Sequence, residues 1–300
     1  MKKFIIKTSF FIITIFALFL YILSRANGYT DPYYIRFTTP KQNNLIIGTS
    51  RSSQGLQPKI FDKILKKKFF NYSFTIAHSP FGSVYFNSIK KKLNHSVKDG
   101  IFIVTVDPWS ISNQGENPNE IKNFGENNLA LSNTNFVDMN PNFEYLIKNL
   151  NGEYYKILTN TKGEMFLHND GWLEVTLPMD SISLTNRSKD KITDYRNNNL
   201  PFRKLSTIRL KYLSQIVQYL KKYGKVYLVR LPVSSEMFKI EVDLMHNFNQ
   251  IIRSIIKKSN GYLDMSNDGY PYEFIDGNHL WKESGKIVSK KIAFWIKTNS

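Results

Sequence analysis

Cysteine is absent from the 300-residue chain, which excludes disulfides, thiolate nucleophiles and cysteine-based metal centres together. The absence also suits an oxidising compartment, where a stray thiol is a liability. Acid is scarce too: 24 Asp and Glu stand against 41 Lys and Arg, a formal charge of +17. Such an excess attracts anionic partners, whether lipid head groups, acidic glycans or nucleic acid. The competing explanation is compositional drift. Lys, Asn, Ile, Phe and Tyr are abundant throughout, and Lys forms short runs only at Lys66–Lys68 and Lys90–Lys92. The sequence has no zinc-finger, RNP or basic-zipper spacing, so nucleic acid is not an expected partner. It has no Walker or dinucleotide glycine pattern and no cluster with metal-ligand spacing. Neither a cofactor nor a metal is expected.

What the chain does have begins with one long apolar run, Phe4 to Leu23, broken only by Lys7 and preceded by Lys2 and Lys3. About 20 apolar residues span a bilayer, and a Lys one turn inside the edge can snorkel out. Residues 1–27 therefore read as a transmembrane anchor. Arg25 is the one cation just beyond the run. The positive-inside rule then leaves a short cytoplasmic N-terminus and an extracytoplasmic domain. A cleaved signal peptide is the alternative, because Ser24 and Ala26 have the alternation of a cleavage site. Both readings export the chain. Residues 28–43, with Pro32 and Pro40, read as a juxtamembrane linker.

From Asn44 onward, strand and helix signals alternate. Asn44–Gly48 is a short apolar run ending in Gly, Leu56–Lys68 looks helical, and Phe69–Thr75 is β-prone. Phe81–Leu93 is again helical, and Gly100–Val106 is nearly continuous in β-branched residues, as buried parallel strands are. Ser206 caps a helix ending at Gly224. Lys225–Leu231 is the next strand, and a long helix is expected through Met245, Phe248, Ile252 and Ile256. Gly261–Met265 and a helix over Glu283–Ile296 close the chain. The pattern predicts a three-layer α/β/α domain over 44–300 with a central parallel sheet, whose reactive groups gather at the carboxyl ends of the strands. Residues from about 110 to 200 break the alternation and are rich in Asn. That length is too great for a structureless loop, so it reads as an inserted cap or substrate-facing subdomain.

Two short segments carry chemistry. The first strand ends in Gly48-Thr49-Ser50, where a small residue before a serine exposes a hydroxyl at a strand-to-helix turn. Near the other end stands Asp276-Gly277-Asn278-His279. Asp and His three apart can join carboxylate to imidazole Nδ1 and leave Nε2 free as a general base. Taken singly, the serine is as much a turn former as a nucleophile, and the Asp could cap a helix beside a surface His.

Together these segments resemble the SGNH/GDSL hydrolases: Gly48-Thr49-Ser50 is similar to their GDS block, with Thr49 in place of the Asp, and Asp276–His279 to their C-terminal DxxH block. The resemblance covers the scaffold from about Asn44 to the C-terminus, excluding the insertion. It implies Ser50 as nucleophile, His279 as base and Asp276 as its orienting acid. It also implies an oxyanion hole built from the serine N–H, a Gly N–H and an Asn side chain. Gly82, in the turn after the second strand, is similar in placement to the family's Gly. Where the family has its Asn, this chain has Val106-Asp107-Pro108-Trp109, and Asn113 from the same loop is the substitute. A more distant likeness is to exported proteins of polysaccharide O-acetylation and D-alanyl transfer.

Arg51 and Arg230 are candidates for binding an anionic substrate, each with an ion-pairing role as the alternative. Trp109 and Trp172 could stack on sugar rings or simply fill a core. His78 is a reserve base, while His95, His168 and His246 read as structural or surface residues. The expected function is an exported serine esterase or O-acyltransferase acting on surface glycan or an acylated envelope polymer. An acyl-donor membrane protein is a further partner in the transfer case. The alternatives are a catalytically silent glycan-binding or assembly protein, and a basic module whose binding collapses as salt rises.

Overall fold

The computed structural model describes residues 1–150, 152–159 and 163–299. Helix α1 (Lys2–Ser24) is long and apolar enough to cross a membrane. The scaffold follows as β1 (Leu45–Ile47), α2 (Ser50–Gly55), α3 (Pro58–Leu65), β2 (Phe70–Asn71), α4 (Ser83–Lys92) and β3 (Gly100–Thr105). The insertion carries β4 (Ser112–Gln114), α5 (Ala130–Asn133), α6 (Phe143–Asn149), α7 (Tyr155–Thr159), the hairpin β5 (Met165–Leu167) and β6 (Leu173–Val175), α8 (Ser181–Asp194) and β7 (Arg203–Leu205). The scaffold resumes with α9 (Thr207–Leu220), β8 (Gly224–Arg230), α10 (Ser235–Leu244), α11 (Phe248–Ile251), α12 (Arg253–Ile256), β9 (Gly261–Asp264) and α13 (Lys282–Thr298).

Five strands form one sheet in the order β2-β1-β3-β8-β9, every neighbouring pair parallel. Alternation along the strands supplies two cores. Leu45, Ile47, Phe102, Val104, Val226 and Leu228 face α4, α9, α11 and α12, while Ile46, Ile101, Ile103, Tyr227 and Val229 face α3 and α13. This is the expected three-layer α/β/α arrangement. The chain leaves β1 toward β2 and then crosses back to place β3 on β1's other side. That reversal opens a crevice at the carboxyl ends of β1 and β3, the usual ligand position in such sheets.

Three segments differ from the sequence reading. The segment 28–43, expected as a linker, is packed onto the domain. Tyr34–Phe37 forms a single 3-10 turn with all four residues buried, because its aromatics complete the α4 side of the core. The long helix expected through Met245 is broken there: Met245 adopts φ −152°, ψ 79° and ends α10. Its apolar spacing looked continuous because Met245, Phe248, Ile252 and Ile255 all still point inward. The insertion, finally, is not one separate cap. Leu131, Tyr145, Leu146, Ile157, Leu167 and Leu173 share the scaffold's core, whereas α8 lies against the 275–277 loop, where Arg187 Nε donates to Ile275 O at 3.0 Å.

Candidate active site

The turn after β1 is shaped by close packing. A Cβ on Gly48 would collide with the Thr105 and Ser52 hydroxyls, so only glycine lets β1 pass β3 and turn into α2. Past the strand end its backbone needs other partners. Gly48 N–H donates to Tyr85 Oη at 3.0 Å, and Gly48 O accepts from Ser79 Oγ at 2.7 Å. At the far end of α2, Asn71 Nδ2 donates to Ser52 O (2.8 Å) and Leu56 O (2.9 Å), and Arg36 Nη2 donates to Ser53 Oγ (2.7 Å). Ser50 is thus the first residue of a short helix clamped at both ends, and it is half-buried.

The 276–279 turn meets it from the other side. Gly277 has φ +76°, a left-handed conformation that glycine adopts without strain. It folds the Asp276 carboxylate back over the following amides. Asp276 Oδ1 accepts from the backbone N–H groups of Asn278 (3.0 Å) and His279 (2.8 Å), and Oδ2 lies 2.8 Å from His279 Nδ1. His279 Nε2 stands 2.8 Å from Ser50 Oγ. Burial pushes the Asp276 carboxyl up, but the adjacent imidazole and these hydrogen bonds outweigh it and hold it well below the usual carboxylate range. An ionised Asp276 at Nδ1 fixes the tautomer that leaves Nε2 as acceptor for the serine proton.

Arg51 and Arg230 are not open to a substrate; both are buried in one ion cluster. Arg51 donates from Nε and Nη2 to Asn278 Oδ1 at 2.9 and 2.6 Å, pairs through Nη1 with Glu241, and has Asp107 Oδ2 at 3.8 Å. Arg230 Nη2 bonds Glu241 Oε2 at 2.7 Å, and its Nη1 is 3.9 Å from Asp264. Desolvation opposes the Arg51 charge, but Glu241 and Asp107 more than compensate and raise its pKa. Asp107 is raised by burial in turn, and its Oδ1 accepts from Ser110 N–H at 2.8 Å. The Asp107 carboxylate is therefore engaged by a cation and an amide.

Asn113 lies on β4, away from that role. Its Oδ1 accepts from Arg209 (2.9 Å) and its Nδ2 donates to Gln114 O (3.2 Å). Gly82 is the residue before α4, beside Glu126 and Arg209. Trp109 is only 3% exposed and packs with Val233, Met237 and Ile240. Tyr195 covers it edge-on at 4.7 Å, so it presents no free ring face to a sugar. Trp172 is half-buried, donates to Gln54 O at 2.7 Å and stacks on His168 at 4.6 Å. His78 donates to or accepts from Thr75 Oγ1 at 2.8 Å, and burial lowers its pKa to about 4.

The sequence reading missed Glu241, Asn278 and Tyr195. Glu241 had a signal: it shares the apolar stripe of Met237 and Ile240, all three buried on α10, and an acid in such a stripe implies a buried partner. Asn278 had none beyond its place in the motif. Because Arg51 has donors only, Asn278 Oδ1 must face it. The amide nitrogen is then turned toward the site, 3.3 Å from His279 Nε2 and 3.5 Å from Tyr195 Oη. Beyond Gly277, a cavity of about 630 Å³ opens between α8 and the 272–281 loop, lined by Met179, Leu184, Ile192, Phe274 and Trp281. Among the described residues there is no group of His, Asp and Glu placed to hold a metal ion.

No protein-family model and no curated protein matches the chain. Among solved structures it resembles an acetyl xylan esterase from the rumen bacterium Butyrivibrio proteoclasticus, with 9% identity over 87% of this chain and 64% of that one. At a TM-score of 0.32 that likeness is too loose to bear on activity, and the geometry of the site has to carry the reading.

Proposed function

We propose that the chain is a serine esterase or O-acyltransferase of the SGNH type, anchored by α1 with its domain outside the cytoplasm, acting on an acylated surface glycan or envelope polymer. The observation that carries this reading is the unbroken line from Asp276 through His279 to Ser50, with 2.8 Å at each link. His279 Nε2 takes the Ser50 proton as Oγ bonds the ester carbonyl carbon. The ring then returns that proton to the departing alkoxide, leaving an acyl-serine. Water or a sugar hydroxyl attacks next, its proton passing to Nε2, and Ser50 is restored.

In this reading the Ser50 N–H is the first oxyanion donor, and Gly82 N–H is a second on the resemblance to SGNH hydrolases alone. Asn278 Nδ2 is the third in our reading, because Arg51 fixes its direction and it neighbours the same imidazole nitrogen as Ser50 Oγ. The cavity under α8 is the space this reading assigns to the rest of the substrate. Turnover of a chromogenic acetyl ester by the detergent-solubilised chain is the test. Activity abolished in Ser50→Ala supports the proposal, and equal rates in both proteins would end it. A silent glycan-binding scaffold is the competing reading, prompted by Asp107 in place of Asn. It requires polysaccharide retention indifferent to Ser50→Ala, with no turnover in either protein.

A further inference from the structure

Helix α7 carries large apolar side chains on its exposed side as well as its buried one. Ile157 points into the core at 5% exposure, whereas Tyr155 and Leu158, three residues apart on a shared face, are 58% and 65% exposed. A helix with one side in water keeps that side polar; on this one two large apolar groups stand exposed beside Thr159 and a Lys156 paired with Glu153. Its neighbour is the outer end of α1. Phe19 meets Tyr154 edge-on at 5.8 Å, and Leu23 is fully buried. Tyr21, Ile22 and Arg25 share the walls of a small cleft with Ile157 and Leu158. Phe19 lies five residues before the end of α1, roughly 7 Å along the axis at 1.5 Å per residue. A partner of Phe19 therefore sits below the outer end of the helix. That depth matches the ~5–10 Å to which interfacial elements sink between head groups and acyl chains, a level that tyrosine favours.

We propose that the segment 154–158 is seated in the outer membrane interface, with Tyr155 and Leu158 immersed in lipid. The proposal rests on α1 spanning the bilayer. A bilayer fits better than a second protein because the exposed face is continuous with α1, whose most apolar stretch the rest of the chain leaves uncovered. The seat is tied to the candidate active site. Asp31, just past the anchor, accepts from Tyr145 Oη of α6 at 2.7 Å and from the amides that open the 34–37 turn. Arg36 of that turn reaches Ser53 of α2. Anchor, seat and serine helix are one connected unit, which holds the site at a fixed height and favours membrane-proximal polymer.

The chain has no cysteine, so single-cysteine variants can be labelled cleanly. The full chain, with an environment-sensitive dye at Leu158→Cys or Tyr155→Cys, is reconstituted in phosphatidylcholine–phosphatidylglycerol vesicles containing lipid spin-labelled high on the acyl chain. Phe11→Cys in mid α1 and Phe294→Cys on α13, across the sheet, are the controls. Quenching at 155 and 158 several-fold stronger than at 294 supports the seat. Quenching at both no stronger than at 294, with 11 protected inside the bilayer, overturns it. A water-exposed dye at 11 would instead overturn the spanning helix itself.

Discussion

The carboxyl rim of the sheet and the 110–200 insertion satisfy their buried polar groups in opposite ways. At the rim, groups from distant parts of the chain converge: Arg51 from α2, Asp107 after β3, Arg230 from β8, Glu241 from α10 and Asn278 beside the His. In the insertion the polar groups are spread out, and single Asn side chains each tie together several groups, near and far in sequence. Asn142 caps α6 at Tyr145 N–H (2.9 Å) and donates to Phe37 O (3.0 Å) and Phe136 O (2.8 Å). Asn119 Oδ1 accepts from Ser206, Thr207 and Ile208 at the start of α9. Damage at the rim should therefore reach the chemistry, and damage in the insertion should stay structural.

Substitutions can break that contrast. The largest effect is expected for Asp276→Asn, which presents the wrong hydrogen-bonding face to Nδ1 and should lower kcat by about 10⁴-fold with the fold retained. Steady-state kinetics alongside circular dichroism check it. Next is Glu241→Gln, which leaves two buried guanidiniums without their shared carboxylate and should cost about 3–5 kcal/mol in denaturant unfolding. The same variant should lose turnover, because Arg51 no longer holds Asn278. Asn278→Ala should lower kcat by about 10²–10³-fold with little change in KM, the loss typical of one oxyanion donor. In the insertion, Asn142→Ala should cost about 1–2 kcal/mol as a lost cap while ester turnover per folded molecule is unchanged. A fall in kcat there would erase the distinction between the two regions.

The last test is read against pH and concerns Lys92, buried beneath the insertion and donating to Thr39 Oγ1 (2.7 Å) and Val137 O (2.7 Å). Burial lowers its pKa from 10.5 to about 7. Between those values the unfolded chain binds the proton that the folded chain releases, so this residue's contribution to stability rises as pH climbs from about 7 to 10.5. Below about 7 both states are charged and the contribution is flat. Thermal melts of Lys92→Met should lack the rise that the parent shows.

The rim was the more legible region. Gly48-Thr49-Ser50 and Asp276–His279 are short and local, and the strand–helix alternation predicts that both lie at carboxyl ends of a parallel sheet. Leu45 to Ile47 and Gly100 to Thr105 are buried at every position, and an unbroken apolar run is itself the mark of a strand covered on both faces. The partners of Arg51 were illegible for the opposite reason: Glu241 lies 190 residues away, and no local pattern specifies such a pairing. Nor does local pattern reveal that Tyr34 and Phe37 complete a core, since an aromatic beside prolines suits a linker equally well. The insertion resisted reading because its helices are mostly one or two turns long, too short for a 3.6-residue period to emerge.

Active-site labelling is the most direct measurement. A fluorophosphonate reacts only with a serine whose hydroxyl is activated by its neighbouring base. Intact-mass analysis should show a single adduct on the parent chain, mapped to Ser50, and none on Ser50→Ala or His279→Ala. An unlabelled parent chain, or an adduct that persists in Ser50→Ala, would contradict the claim that these three side chains form a working nucleophile.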